Sequence, residues 1–150
     1  MAGENELAGE LTGEGHRYRA RVYFADTDFT GVVYHARYLE FLERGRSDFL
    51  RLAGVHHTEL EEGKHGGEKL AWVVRRMEID FVQPARIDDI MTVETKVERL
   101  SGARIFMAQT IQRDETLLIK ARVEAAIISA SGKPRRFPKQ WAAAFLGEAG

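Results

Sequence analysis

Cysteine is absent from the 150 residues. That excludes a disulfide framework, a thiolate metal site and a thiol nucleophile. Long apolar runs are missing as well, so no stretch reads as a transmembrane helix. The opening residues, Met1 to Glu6, lack the basic and apolar regions of a secretory leader. These absences fit a chain that works in a reducing cytoplasm. Net charge is scarce too: 22 Lys and Arg stand against 23 Asp and Glu, a formal −1. No basic stripe of the nucleic-acid-binding kind is present. Four of the acids, Glu4, Glu6, Glu10 and Glu14, fall in residues 1–15, which hold no Lys or Arg. Setting them aside leaves 19 acidic against 22 basic side chains, a mildly basic body. Such a body suits a phosphate-bearing ligand only weakly, and equally describes a solvated surface of mixed charge.

What is present is ordinary globular material: 44% hydrophobic residues, enough for one core in one domain. Residues 1–15, rich in Gly and Glu, read as a disordered tail, which leaves 16–150 as the domain. Tyr18 to Phe24 reads as a first strand. From Ala36 to Ala53, apolar residues recur at helical spacing (Tyr38, Leu42, Gly45, Phe49, Leu52), which predicts a long amphipathic helix. Gly45 in its middle costs roughly 1 kcal/mol of propensity, which implies close approach by a strand. A polar connection with a short helix near Thr58–Glu62 follows. Four segments then alternate apolar and polar residues, the pattern of half-buried antiparallel strands. A basic loop, Gly132-Lys133-Pro134-Arg135-Arg136, leads to an apolar tail helix over about Pro138 to Leu146. One long helix must cover the apolar face of all these strands. The economical solution is α+β: a curved antiparallel sheet of about five strands wrapped around that helix.

The chemistry concentrates between the first strand and the helix, in Asp26-Thr27-Asp28-Phe29-Thr30-Gly31-Val32-Val33-Tyr34-His35. Two carboxylates precede a helix start, where unpaired N–H groups and a partial positive charge are found. A carboxylate beside such an anion-binding helix terminus is one way to build an acyl-transfer site. In isolation, Asp-Thr-Asp is more simply a turn or a helix cap.

The stretch nevertheless resembles the signature of hotdog-fold acyl-CoA thioesterases of the 4-hydroxybenzoyl-CoA thioesterase and YbgC-like group. That pattern runs Asp-x-Asp-x-x-Gly-x-Val-Tyr-His-x-x-Tyr and continues into an Arg-containing helix. Here it is Asp26-Thr27-Asp28, Gly31, Val33-Tyr34-His35 and Tyr38, then Glu43-Arg44-Gly45-Arg46. The resemblance continues through Val73–Met77, Pro84–Asp89 and Lys133-Pro134-Arg135, covering nearly everything after His16. It implies the hotdog fold and hydrolysis of an acyl-CoA to free acid and coenzyme A. Asp28 would be the nucleophile or general base, and His35 would offer its backbone N–H to the thioester oxygen. Gly31, Val33 and Tyr34 would line the substrate, Arg86 and Arg122 would meet coenzyme A phosphates, and Asp26 would be structural. Lys133 and Arg135 read equally as phosphate contacts or as a solubilising turn.

No cofactor and no metal are implied, although Asp26, Asp28, His35 and His16 form a conceivable rival ligand set. The implied partners are acyl-CoA, or the acyl group on an acyl carrier protein, and further copies of the chain in a homodimer or homotetramer. One departure stands out: Phe24 occupies a position that is Tyr in YbgC-like members. It keeps one rival in view, a non-catalytic acyl-thioester binding module; a second rival, a hotdog dehydratase, would carry a His/Asp or His/Glu arrangement that matches this signature less well.

Overall fold

Each alternating segment becomes a strand because one face can be buried and the other left wet. The computed structural model describes residues 9–64, 67–137 and 139–146. Its elements are β1 (Glu10–Leu11), β2 (His16–Arg21), a 3-10 turn over Phe24–Asp26, α1 (Arg37–Leu52) and α2 (His57–Glu61). They continue with β3 (Leu70–Phe81), β4 (Ile90–Ser101), β5 (Arg104–Arg113), β6 (Thr116–Ser129) and α3 (Lys139–Leu146). Together the strands form one antiparallel sheet in the order β1-β2-β4-β5-β6-β3. This is the α+β, hotdog arrangement that the pattern predicts, with β3 forming one edge.

The core lies between the sheet and α1. Met91, Val93 and Val97 of β4 and Ile105, Met107 and Ile111 of β5 are buried, as are Tyr38, Phe41, Leu42 and Phe49 of α1. The α1 backbone runs nearest β1, β2 and β4, while its Tyr38, Phe41 and Leu42 share the core with Leu118, Ile119 and Ala121 of β6, and its Phe49 and Leu50 with Val123. Gly45 performs the expected service: a Cβ there would sit 2.8 Å from Val93 Cγ1. One polar knot interrupts the apolar layer. Gln109 Nε2 donates to the Leu42 carbonyl (3.0 Å) and to Thr95 Oγ1 (2.9 Å), and its Oε1 accepts from Arg46 Nη1 (3.0 Å). At the far end, Trp141 and Phe145 of α3 close the core against Phe49 and Trp72.

Two expectations change. The first strand covers His16–Arg21, not Tyr18–Phe24. Asp26 Oδ2 takes the Tyr23 N–H (2.9 Å), so Tyr23 and Phe24 enter a turn rather than a ladder. Residues 9–15, read as tail, are ordered as β1 and its connection, which adds a sixth, two-residue strand. Asp48 of α1 holds this segment by accepting from the Gly9 N–H and bonding His16 Nε2, both at 2.7 Å. Two fixed anchors offset the low apolar content that made the segment read as mobile. Residues 1–8 lie outside the described residues, as does Pro138 at the expected start of the tail helix; α3 begins at Lys139.

Candidate active site

The loop between the 3-10 turn and α1 is a small hairpin fixed by its own backbone. Thr27 bridges Val33, the Asp28 N–H donates to the Val32 carbonyl (2.8 Å), and the Tyr34 N–H reaches the Asp26 carbonyl (3.0 Å). Gly31 turns the tip with φ +87°, a conformation that a side chain would strain. The hairpin is anchored from outside by residues 84–89. There the Val33 N–H donates to the Ala85 carbonyl (2.9 Å), and Val32 bridges Arg86. Tyr38 reaches over from α1, its hydroxyl accepting the Ala85 N–H at 2.9 Å. Asp89 braces the same segment, taking the Arg86 N–H and Arg113 Nη1, each at 2.8 Å.

Asp28 stands on this frame with its carboxylate half-exposed. Its Oδ1 accepts from the Thr30 hydroxyl (2.6 Å) and the Thr30 N–H (2.7 Å). The hydroxyl bond first, then the backbone bond, holds the carboxyl below its ordinary value, so Asp28 is ionised at neutral pH. Among the described residues Oδ2 has no partner and is available to react. Asp26 is spent differently, on the Tyr23 N–H and on Arg37 at 3.6 Å. Its structural reading fits this geometry.

The chain returns from the hairpin so that His35 follows directly on Tyr34 and precedes α1 by two residues. Among the described residues, neither the His35 nor the Ala36 backbone N–H makes a hydrogen bond, and no side chain caps the helix. These are two unspent donors at the positive end of a 16-residue helix. The His35 ring is exposed, packed against Tyr34 (4.7 Å between centroids) and edge-on to Phe81 (6.2 Å). No hydrogen bond joins it to Asp28.

The remaining candidates divide. Gly31 and the half-exposed Tyr34 belong to the hairpin, and Arg86 adjoins it with its side chain in solvent. Val33 is 4% exposed, a core residue that presents only backbone, so its side chain is not a substrate contact. Arg122 is on the outer face of the sheet, 3.9 Å from Glu98. Lys133 and Arg135 follow β6 and lie at the opposite end of β3. Leu70 pairs with Ser129 there, whereas Phe81, beside His35, pairs with Ile119. A 12-residue strand separates the two ends by about 35 Å. Within one chain they do not share a site with Asp28. Arg135 is also held by Glu68 through three hydrogen bonds of 3.0–3.2 Å. The rival metal set is likewise dispersed, with His16 buried against Asp48, and no three His, Asp or Glu of the described residues converge on an ion.

Sequence reasoning missed two features. Thr30 as the holder of Asp28 was legible in principle, because a Thr two residues after an Asp is a recurrent turn pairing. The aromatic rim had no such signal. Phe29 is fully exposed, Phe24 is 80% exposed, and Tyr23, Tyr34, Phe81, Val82 and Ile87 are exposed around them. Apolar groups left in water on and beside the hairpin that carries Asp28 mark a surface that something covers.

Comparison with known proteins gives a consistent picture. The sequence profile of the Thioesterase-like superfamily matches residues 22–145. An acyl-CoA thioesterase YbgC of Haemophilus influenzae is 44% identical over 133 residues, covering 87% of this chain and 94% of that protein. An acyl-CoA thioester hydrolase YbgC of Escherichia coli O6:H1 is 36% identical, covering 86% and 94%. The crystal structure of a probable thioesterase from Bartonella henselae superposes with a TM-score of 0.80 at 58% identity, covering 83% of this chain and 99% of that one.

Proposed function

The chain belongs to the thioesterase-like superfamily, and from that premise we propose that it hydrolyses acyl-CoA with Asp28 as the reacting carboxylate. That it is a thioester hydrolase follows from relatives named for acyl-CoA thioester hydrolysis, 94% of whose length it covers at 36 and 44% identity. The residue roles are our reading of the hairpin.

One observation carries it. A carboxylate with one oxygen clamped by Thr30 and the other unspent shares a hairpin with two unspent N–H groups at a helix start. The thioester carbonyl oxygen is received by the His35 N–H, where negative charge develops as the carbon becomes tetrahedral. Asp28 Oδ2 then acts in one of two balanced ways. It attacks the carbon, expels the coenzyme A thiolate and leaves an acyl-aspartyl anhydride that water opens. Otherwise it takes a proton from the water that attacks. The thiolate departs without an acid, so no further titrating group is needed. The imidazole of His35 and the aromatic rim shape the approach.

Only one side of a site is built by one chain. β3 leaves an unpaired edge, a feature that chains cover by pairing. Two copies joined antiparallel along β3 bring the Leu70 end of one beside the Phe81 end of the other. Lys133 and Arg135 of the second copy then stand near Asp28 of the first, where the phosphates of coenzyme A need cations. The dimer thus reunites residues that a single chain holds apart.

Thiol release from a panel of acyl-CoAs tests the proposal. Asp28→Asn lowers kcat by at least about 10²-fold with the fold intact. An Asn variant of full activity overturns the assignment. Binding of acyl-CoA without thiol release by the unmodified protein would favour the non-catalytic binding module instead.

A further inference from the structure

Ala85 is fully buried, and both polar groups of its backbone serve the candidate site. Its carbonyl takes the Val33 N–H of the hairpin at 2.9 Å. Its own N–H donates to the Tyr38 hydroxyl of α1, also at 2.9 Å, from 47 residues away in sequence. A buried N–H has no water to fall back on, and among the described residues that hydroxyl is its acceptor. The hydroxyl in turn donates to nothing among the described residues, so what it contributes here is its oxygen. Burial, first among the influences on it, pushes the phenol up in pKa. Tyr38 is therefore neutral at acid and neutral pH, and its tie to Ala85 is the same at both.

The path from Tyr38 to the candidate reacting groups is short in both directions. Toward His35 it is three residues of chain, roughly 4.5 Å along the helix axis. Toward Asp28 it is a relay of hydrogen bonds. Ala85 N–H meets the Tyr38 hydroxyl, Val33 N–H meets the Ala85 carbonyl, and one residue back the Val32 carbonyl takes the Asp28 N–H at 2.8 Å. Phe81 packs against both ends of the turn, 6.0 Å from the Tyr38 ring and 6.2 Å from that of His35. The segment that carries Ala85 is itself braced. Asp89 takes the Arg86 N–H, and Arg113 Nη1 reaches both Asp89 (2.8 Å) and the Pro84 carbonyl (3.3 Å). Arg37 supplies another tie, to the Ala25 carbonyl at 3.1 Å, but it is exposed and holds the outgoing base of the hairpin. The returning arm, against which Asp28 is registered, is held by Ala85, and Ala85 by Tyr38.

We propose that Tyr38 is a positioning residue of the reaction, whose hydroxyl fixes Asp28 relative to the His35 N–H by way of the Ala85 peptide. The carboxylate and the oxyanion donor are then both referred to one atom on the first turn of α1. The role rests on those of Asp28 and His35 as proposed above, and it adds what keeps the two in register. At 3% exposure Tyr38 does not itself meet the substrate. It acts on rate, because reacting atoms must meet within a narrow range of distance and a misplacement of about 1 Å costs about 10²-fold. It leaves binding alone, because the surfaces that receive the acyl-CoA are unchanged.

The test is steady-state thiol release by the full chain with Tyr38→Phe, which keeps the ring and deletes the oxygen. kcat should fall about 10- to 100-fold while KM stays within about twofold of the parent. The acid limb of the kcat/KM profile should not move, because Thr30 still holds the Asp28 carboxylate. Amide hydrogen exchange should quicken at Ala85, Val33 and Asp28 and stay as it was along β5. Asp89→Ala loosens the same peptide from the β5 side and should give the same split between kcat and KM in smaller measure. Ile105→Val, in the core at the other end of the sheet, controls for lost stability and should keep the kcat of the parent. Thermal melts set a temperature at which every variant is folded. Tyr38→Phe with the kcat of the parent overturns the proposal. So does a fall that Ile105→Val reproduces, or a loss carried by KM alone. If Tyr38→Phe does not fold, Asp89→Ala decides by the same criteria. Each of these results leaves the Asp28 reading standing; an Asp28→Asn variant of full activity removes that reading, and the positioning role with it.

Discussion

At the scale of single residues, the charge state of Asp28, the carboxylate we propose to react, is set by Thr30. Two short hydrogen bonds to one carboxylate oxygen stabilise the charged form, so the carboxyl titrates below its ordinary value. Activity that needs the carboxylate is therefore present at neutral pH and is lost as pH falls through that depressed value. Thr30→Val removes the hydroxyl donor and leaves the backbone one. The pKa of Asp28 rises toward the ordinary carboxylate value, and the acid limb of the kcat/KM profile moves to higher pH. A profile unchanged on the acid side would show that Asp28 does not control it. Asp28, Gly31 and His35 were singled out in sequence by the resemblance to the thioesterase signature, and in the structure they fall on a turn, a left-handed tip and the approach to a helix start. Val33 was expected to line the substrate, and its side chain is buried, because the motif does not say which way a hairpin side chain points. The Ala85 carbonyl, which receives the Val33 N–H, turns that side chain inward, and residue 85 is distant in sequence.

At the scale of elements, alternation marked β3 to β6 well, and helical spacing placed α1 within one residue at each end. What failed was β1, a two-residue strand whose stability comes from Asp48 and not from its own composition. The contact of α1 with β4 was legible through Gly45, since a helix former would be the default there. Its magnitude can be weighed. Gly45→Ala gains about 1 kcal/mol of helix propensity. Against it stands a Cβ placed 2.8 Å from a methyl of Val93, a stiff β-branched side chain in a packed core. Overpacking of that kind costs about 1–3 kcal/mol. The net expectation is a loss of about 1 kcal/mol in urea denaturation, recovered when Val93→Ala is added to make room. A gain in stability from Gly45→Ala alone would mean that the two layers are looser than drawn.

At the scale of the whole molecule, the separation of Asp28 from Lys133 and Arg135 decides what must assemble. The sequence reading grouped them because it has no distances; strand β3 supplies one, and it is too long for a single chain. If a second copy provides the basic loop, defects placed on different chains should complement. A mixture of Asp28→Asn chains with Lys133→Ala/Arg135→Ala chains, unfolded and refolded together, contains hybrids. Half of the sites in each hybrid carry both an intact Asp28 and an intact basic loop. Thiol release at low acyl-CoA should rise well above that of either parent, toward half the unmodified rate per hybrid. A mixture no better than the mean of its parents would place the cations in the same chain as the carboxylate, or outside the site.

The knot at Gln109 has a consequence of its own. It grips one carbonyl of α1, and the grip is roughly 10 Å from the amides that open the same rod. A rod held by directional bonds at Leu42 and Arg46, and again at Tyr38 and Asp48, can neither spin nor slide without breaking them. Aim at one end is therefore governed from the middle, as a set screw governs a shaft. On the proposed reading, a glutamine that never meets a substrate thereby helps to set where the oxygen of one comes to rest.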